Sequence, residues 1–82
     1  MRKAVTVHMD TSRESAPVAH LVSLANQFRS RVYFEMDTKK VNAKSIMGMM
    51  TLGLMEDDEV VVTAEGADEA EALESMTKLL NR

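Results

Sequence analysis

The sequence predicts an α+β fold: a four-stranded antiparallel sheet with three helices packed on one face, in the order β-α-β-β-α-β-α. Three observations carry this prediction. Apolar and polar residues alternate in AVTVHM (4–9), RVYFEM (31–36) and EVVVTAE (59–65), the period-2 pattern of strands with one buried face. Apolar residues recur at helical spacing after Pro17 and after Asp68, and more briefly after Ser45. The one proline and three glycines fall at element ends or within residues 41–55, so the chain reads as continuous structure without a linker or repeat.

Each element follows from its residues. In the first strand Val5, Val7 and Met9 share one face, opposite Thr6 and His8. DTSRES (10–15) then supplies turn and capping residues, with Ser12 and Ser15 read in those roles. Pro17 suits a first helical turn, and Val18, Leu21, Val22, Ala25 and Phe28 form one stripe of a helix from about Ser15 to Phe28. RVYFEM turns Val32, Phe34 and Met36 to one side. A turn at DTK (37–39) leads into a short strand through Val41, a hairpin whose turn lacks the usual glycine. EDDE (56–59) reads as a solvated acidic connection. The following strand turns Val60, Val62 and Ala64 inward, and its valines place it at the centre of the sheet. Gly66 ends it. Asp68 with Glu71 forms a capping-box pattern, and the last helix offers Ala72, Leu73, Met76, Leu79 and Leu80 to the core, with Lys78 and Arg82 near its end.

Composition narrows the function classes. At 82 residues the chain is expected to form a single domain, residues 1–82. It has no cysteine, so disulfides and thiolate metal sites are excluded, in keeping with a reducing, cytoplasmic setting. The opening residues lack the apolar run of a signal peptide, and no window approaches the roughly 18 apolar residues that spanning a membrane needs. A net charge of −3 with scattered Lys and Arg removes the electrostatic basis of nucleic-acid binding. No cofactor or metal site is expected: His8 sits on the polar face of a strand and His20 on the polar side of a helix, and two such histidines make a weak case for a metal.

The informative stretch is VNAKSIMGMMTLGLM (41–55). Ser45 stands where an N-cap belongs, between strand-like residues and the helical spacing of Ile46, Met49 and Met50. A helix of about two turns cannot bury Ile46, Met47, Met49 and Met50 on one face, so at least one or two of them should face solvent, where flexible methionine suits an adaptable binding surface. A phosphate on Ser45 would be structurally tolerated and would make the helix edge an acidic, apolar recognition site. On the cap alone, a purely structural serine explains the residue equally well.

VNAKSIMGMMTLG, with GADEAEAL after the last strand, resembles the HPr family of phosphocarrier proteins of the sugar phosphotransferase system, collinearly from the first strand to the last helix. The resemblance implies that family's open-faced β-sandwich. It also implies that Ser45 is a regulatory serine phosphorylated by HPr kinase/phosphorylase, and that Ile46, Met47 and Met50 are apolar contacts for catabolite control protein A. The family's phosphoryl-accepting histidine lies in a motif close to GIHARPA. Here the matching stretch is SRESAPV, in which Glu14 occupies the histidine position and Ala16 the arginine position.

An imidazole is a neutral nucleophile, whereas Glu14 is already anionic and repels phosphate, and Arg13 precedes rather than follows it. His20 lies more than a turn inside its helix, away from the free N–H groups that would hold a phosphoryl group. The pattern is similar to that of the histidine-lacking catabolite-repression paralogues of the family. These keep the arginine that Ala16 replaces, a side chain that helps bind the repressor partner, so the kinase is implied more directly than catabolite control protein A. The expected function is therefore a non-catalytic regulatory protein of carbon-source use, switched at Ser45. The alternatives are a phosphocarrier that takes phosphate from enzyme I on an atypical acceptor such as Glu14 or His20, and an inert scaffold.

Overall fold

The computed structural model describes residues 1–8 and 17–81. Its elements are β1 (Arg2–Thr6), α1 (Pro17–Ala25), β2 (Arg31–Met36), β3 (Lys39–Asn42), α2 (Ile46–Leu52), β4 (Glu59–Glu65) and α3 (Glu69–Leu80), the predicted order. The four strands form one antiparallel sheet in the order β1-β4-β2-β3. β4 is central, as its valines predicted: Val60, Val62 and Ala64 are fully buried, and they lie on the face that also buries Val5, Val32 and Phe34. α3 packs on β4, β1 and β2, α1 packs against both α2 and α3, and α2 rests on β3. Their inward residues, among them Leu21, Ala25, Met49, Leu52, Met76 and Leu80, complete one core.

Three boundaries differ from the sequence reading, each for a backbone reason. The first strand ends at Thr6 instead of reaching Met9, because the chain leaves the β4 ladder at Val7. There Val7 N–H donates to the Asp58 carbonyl (2.8 Å), Asp57 N–H donates to the Val7 carbonyl (2.8 Å), and His8 N–H donates to the Leu80 carbonyl (2.7 Å). His8 is accordingly exposed just beyond the strand, not within it. EDDE is also more than a solvated connection, since two of its residues clamp that exit through the backbone. The first helix stops at Ala25, short of Phe28: Gln27 and Phe28 donate to the carbonyls of Leu24 and Ala25, an i→i−3 turn, while the Asn26 amide takes the Val22 carbonyl at 2.8 Å. The hairpin pairs Met36 with Lys39, leaving Asp37 and Thr38 as its two-residue loop, with Asp37 at φ 56° in the role a glycine usually fills.

The expected capping box at Asp68 does not form. Asp68 is the N-cap residue of α3 but its carboxylate makes no cap hydrogen bond. It reaches instead across to the α1–β2 connection, accepting from Arg29 N–H (2.9 Å), Ser30 N–H (2.8 Å) and the Ser30 hydroxyl (2.5 Å). The Ser30 hydroxyl foremost, then the Arg29 N–H, hold its carboxyl down at about 2 from an ordinary 3.8. Ser30 is a fully buried polar residue, so this tie satisfies donors that would otherwise be stranded. Gly66 takes part as well: at φ 150° it passes so close to Ser30 that a Cβ there would lie 2.7 Å from the Ser30 Cα.

Candidate functional site

The site is built on α2 and on the turn that feeds it. After β3, Ser45 N–H donates to the Asn42 carbonyl (3.0 Å) and the Asn42 side-chain oxygen accepts Lys44 N–H (2.9 Å), closing a turn of the kind asparagine favours. The Lys44 ammonium donates to the Phe28 carbonyl at 2.8 Å, and the Asn26 amide donates to the Lys44 carbonyl at 3.3 Å. The turn that follows α1 thus holds the residue preceding Ser45 by both its side chain and its backbone. Ser45 is extended (φ −105°, ψ 119°), its hydroxyl accepts Gly48 N–H at 3.2 Å, and its carbonyl accepts Met49 N–H at 3.0 Å. This is the predicted N-cap. The side chain is half-buried, with its oxygen at the edge of the helix.

α2 runs for seven residues and ends at Gly53, whose φ of 65° and ψ of 49° form the left-handed cap that glycine adopts without penalty. Its inward side is Met49 (0 % exposed) and Leu52 (2 %). Its outward side carries Ile46 (49 %), Met47 (80 %) and Met50 (66 %). Met47 and Met50 are three residues apart and Ile46 and Met50 four, so the three share one helical face. The expectation that at least one or two of these apolar residues would face solvent is met by three of them, and Met55 beyond the helix is also exposed. A helix this short has room for one inward row, and Met49 with Leu52 occupies it.

The structure therefore exposes Ile46, Met47 and Met50 on the outer side of α2 and places Ser45 at that helix's N-cap. It does not bring the histidines there. His8 lies at the end of β1 with its Nδ1 3.9 Å from Asp57, and His20 is an exposed residue of α1. A shallow depression between β1 and the end of α3, lined by Lys3, His8, Thr77 and Lys78 among others, includes none of the α2 residues. Among the described residues, no group of three or more His, Asp or Glu is arranged to hold a metal ion, and no helix is long and apolar enough to cross a membrane. The readings of Ser12, Arg13, Glu14, Ser15 and Ala16 lie outside the described residues. Sequence reasoning missed Asn26, Asn42 and Lys44, which fix where the serine sits. The asparagine ahead of Lys44 was a turn signal, whereas nothing local marks the Lys44–Phe28 contact, which joins residues sixteen apart.

The whole chain, residues 1–82, matches the family model described as PTS HPr component phosphorylation site. Over 76 residues it is 46% identical to the HPr-like protein Crh of Bacillus subtilis strain 168, covering 93% of this chain and 89% of that protein. Over 82 residues it is 39% identical to the HPr-like protein Crh of Halalkalibacterium halodurans, covering 100% and 98%. Among solved structures, the phosphocarrier protein HPr from Bacillus anthracis superposes with a TM-score of 0.91 at 38% identity, over 98% of this chain and 95% of that one.

Proposed function

The chain belongs to the HPr family, and on that premise we propose that it is a regulatory member without phosphocarrier activity, switched by phosphorylation of Ser45 and read by protein partners on the outer face of α2. The observation that carries this reading is the exposure of Ile46, Met47 and Met50 directly beside a serine whose oxygen lies at the helix edge. Burying a side chain of this size stabilises a fold by about 1.5–3 kcal/mol relative to leaving it exposed. Three such residues held in water on one helical face represent burial forgone within the fold and available to a partner.

Phosphorylation supplies the other half of the surface. A phosphoserine adds about −1.5 to −2 charges at neutral pH. The adjacent cation, Lys44, is already engaged with the Phe28 carbonyl, so the new charge calls for a cation from the partner, and an arginine offers the bidentate geometry. The partner then reads two features at once, a phosphate and an apolar helix face, in a cytoplasmic setting. HPr kinase/phosphorylase is the proposed modifying enzyme and catabolite control protein A the proposed reader, with the kinase the better supported because Ala16 replaces the arginine of the related paralogues. The absence of a histidine at position 14, where Glu14 stands, supports a protein that does not relay phosphate from enzyme I. This protein catalyses nothing itself.

Intact-mass spectrometry after incubation with ATP and an HPr kinase, and separately with enzyme I and phosphoenolpyruvate, tests the proposal, with Ser45→Ala run beside the wild type. The expected result is one added phosphate in the kinase arm alone, absent from the variant. Full incorporation in Ser45→Ala would remove the site assignment, and label from enzyme I would restore the carrier reading through an acceptor such as Glu14 or His20. No phosphate in either arm would leave a scaffold whose Ser45 is only a cap.

A further inference from the structure

The chain holds eight methionines and no cysteine, so no thiol competes for an oxidant and the thioethers are its most readily oxidised groups. Among the described residues the fold separates exposed sulfurs from buried ones, with Met36 half-buried between them. Within α2 alone, Met49 is fully buried while Met47 and Met50 are 80 % and 66 % exposed. Met76, in α3, is also fully buried. We propose that Met47 and Met50 form a reversible oxidation site, at which conversion to the sulfoxide turns the outer face of α2 from apolar to polar without unfolding the protein. The proposal rests on the reading of that face as the recognition surface.

The chemistry needs a hydroperoxide. Its O–O bond breaks as a sulfur lone pair takes the terminal oxygen, the sulfur is oxidised by two electrons, and the hydroperoxide leaves as an alcohol, or as water in the case of hydrogen peroxide. A methionine sulfoxide reductase reverses the step with two thiol equivalents, returning the oxygen as water and leaving a disulfide. At Met47 and Met50 the new S=O dipole points into solvent, where water satisfies it. At Met49 or Met76 it would enter an apolar core with no donor, a burial that costs heavily. Oxidation that respects the fold is therefore confined to the surface. It removes apolar character from two of the three residues that give the α2 face its affinity for apolar partners, and it leaves Ser45 and its cap chemically intact. Met55 and Met1 are exposed as well but lie outside α2, and their sulfoxides leave that face unchanged.

The test is to treat the reduced protein with hydrogen peroxide and follow each sulfoxide by peptide mass spectrometry. The amide NMR spectrum, retention on a hydrophobic-interaction column and the rate of phosphorylation by HPr kinase with ATP are recorded in parallel. Buried sulfurs are reached only through opening of the fold, populated in about one molecule in a thousand or fewer, so Met47 and Met50 should oxidise at least about a hundredfold faster than Met49 and Met76. The dispersed spectrum should persist, column retention should shorten, and the phosphorylation rate should fall and then recover with a sulfoxide reductase and a thiol. In a Met47→Leu/Met50→Leu protein, peroxide should leave the phosphorylation rate where it stood before treatment and shorten retention less than in the wild type, although Met55 and Met1 still oxidise. Oxidation of Met49 in step with Met47, loss of the folded spectrum, or unchanged retention would overturn the site, and an unchanged kinase rate in the oxidised protein would overturn the switch. If the reduced protein is not phosphorylated at all, the Ser45 reading fails, while the peptide map and the retention still decide the oxidation site.

Discussion

Met47 and Met49 offer a comparison in which residue type and helix are held constant and only burial differs. Replacing Met49 with alanine removes Cγ, Sδ and Cε from a site with 0 % exposure, packed among Leu52 and the rest of the core. At about 0.8 kcal/mol for each methylene-sized group, the lost transfer energy is about 2.4 kcal/mol. The cavity left behind adds to this, giving about 3–5 kcal/mol in all. A domain of this size unfolds with an entropy such that 1 kcal/mol moves the Tm by about 4–8 °C, so the melting temperature should fall by about 12 °C or more. The same change at Met47, which is 80 % exposed, removes atoms that already face water. Its effect should lie within about 0.5 kcal/mol of zero, helped slightly by the better helix propensity of alanine. Urea denaturation of both variants, with the m-value checked for constancy, measures the pair. Equal destabilisation, or a larger effect at Met47, would mean that α2 packs with the other face inward and would refute both the burial assignment and the functional reading built on it.

Other outcomes follow from particular contacts. Ser45→Ala should lose the Gly48 N–H cap and about 0.5–2 kcal/mol of stability, with the circular dichroism spectrum of the fold retained, and Ser45→Asp should recover most of that loss because aspartate caps equally well. The Asp68 carboxyl is held near 2 in the folded state against 3.8 ordinarily, so its contribution is present above about pH 4 and is lost as the pH falls towards 2. Melting curves across that interval should be less steeply pH-dependent in Asp68→Asn, and an unchanged slope would show that Asp68 is not the group responsible. Gly66→Ala should be strongly destabilising in chemical denaturation, since its Cβ would lie 2.7 Å from the Ser30 Cα at a φ of 150°. Gly48→Ala meets only ordinary contacts at 3.5 Å and should gain up to about 1 kcal/mol from helix propensity.

Much of this molecule is legible in its sequence because the relevant signals are local. Alternation in 31–36 and 59–65 marks strands whose inward residues Val32, Phe34, Val60, Val62 and Ala64 prove to be fully buried, with Met36 half-buried at the strand end. The short helical spacing after Ser45 gives the N-cap of α2 before any contact is known, whereas the Gly53 cap emerges only in the structure. What local reasoning gets wrong is competition for the same group. Asp68 and Glu71 have the spacing of a capping box, yet the Asp68 carboxylate is claimed by Ser30 and Arg29, thirty-eight and thirty-nine residues away in sequence. Three donors together, one of them a buried hydroxyl, outbid a single N–H at a helix end that water can also satisfy. The strand that stops at Thr6 fails for the same reason, because its continuation is set by the Asp57 and Asp58 backbone and by the Leu80 carbonyl.

By itself, the sequence determined the order of the elements, the inward face of the strands at 31–36 and 59–65, the helix that begins after Ser45, and the absence of a histidine at position 14. Periodicity and capping act over a few residues and are written directly into the chain. Only the tertiary structure decided which methionines of MGMM face the core, that Lys44 is tied to Phe28, and that Ile46, Met47 and Met50 stay exposed on the helix that Ser45 caps. Those outcomes depend on where α1 and β3 stand relative to a helix only seven residues long, and packing between elements distant in sequence leaves no periodic trace in any one of them.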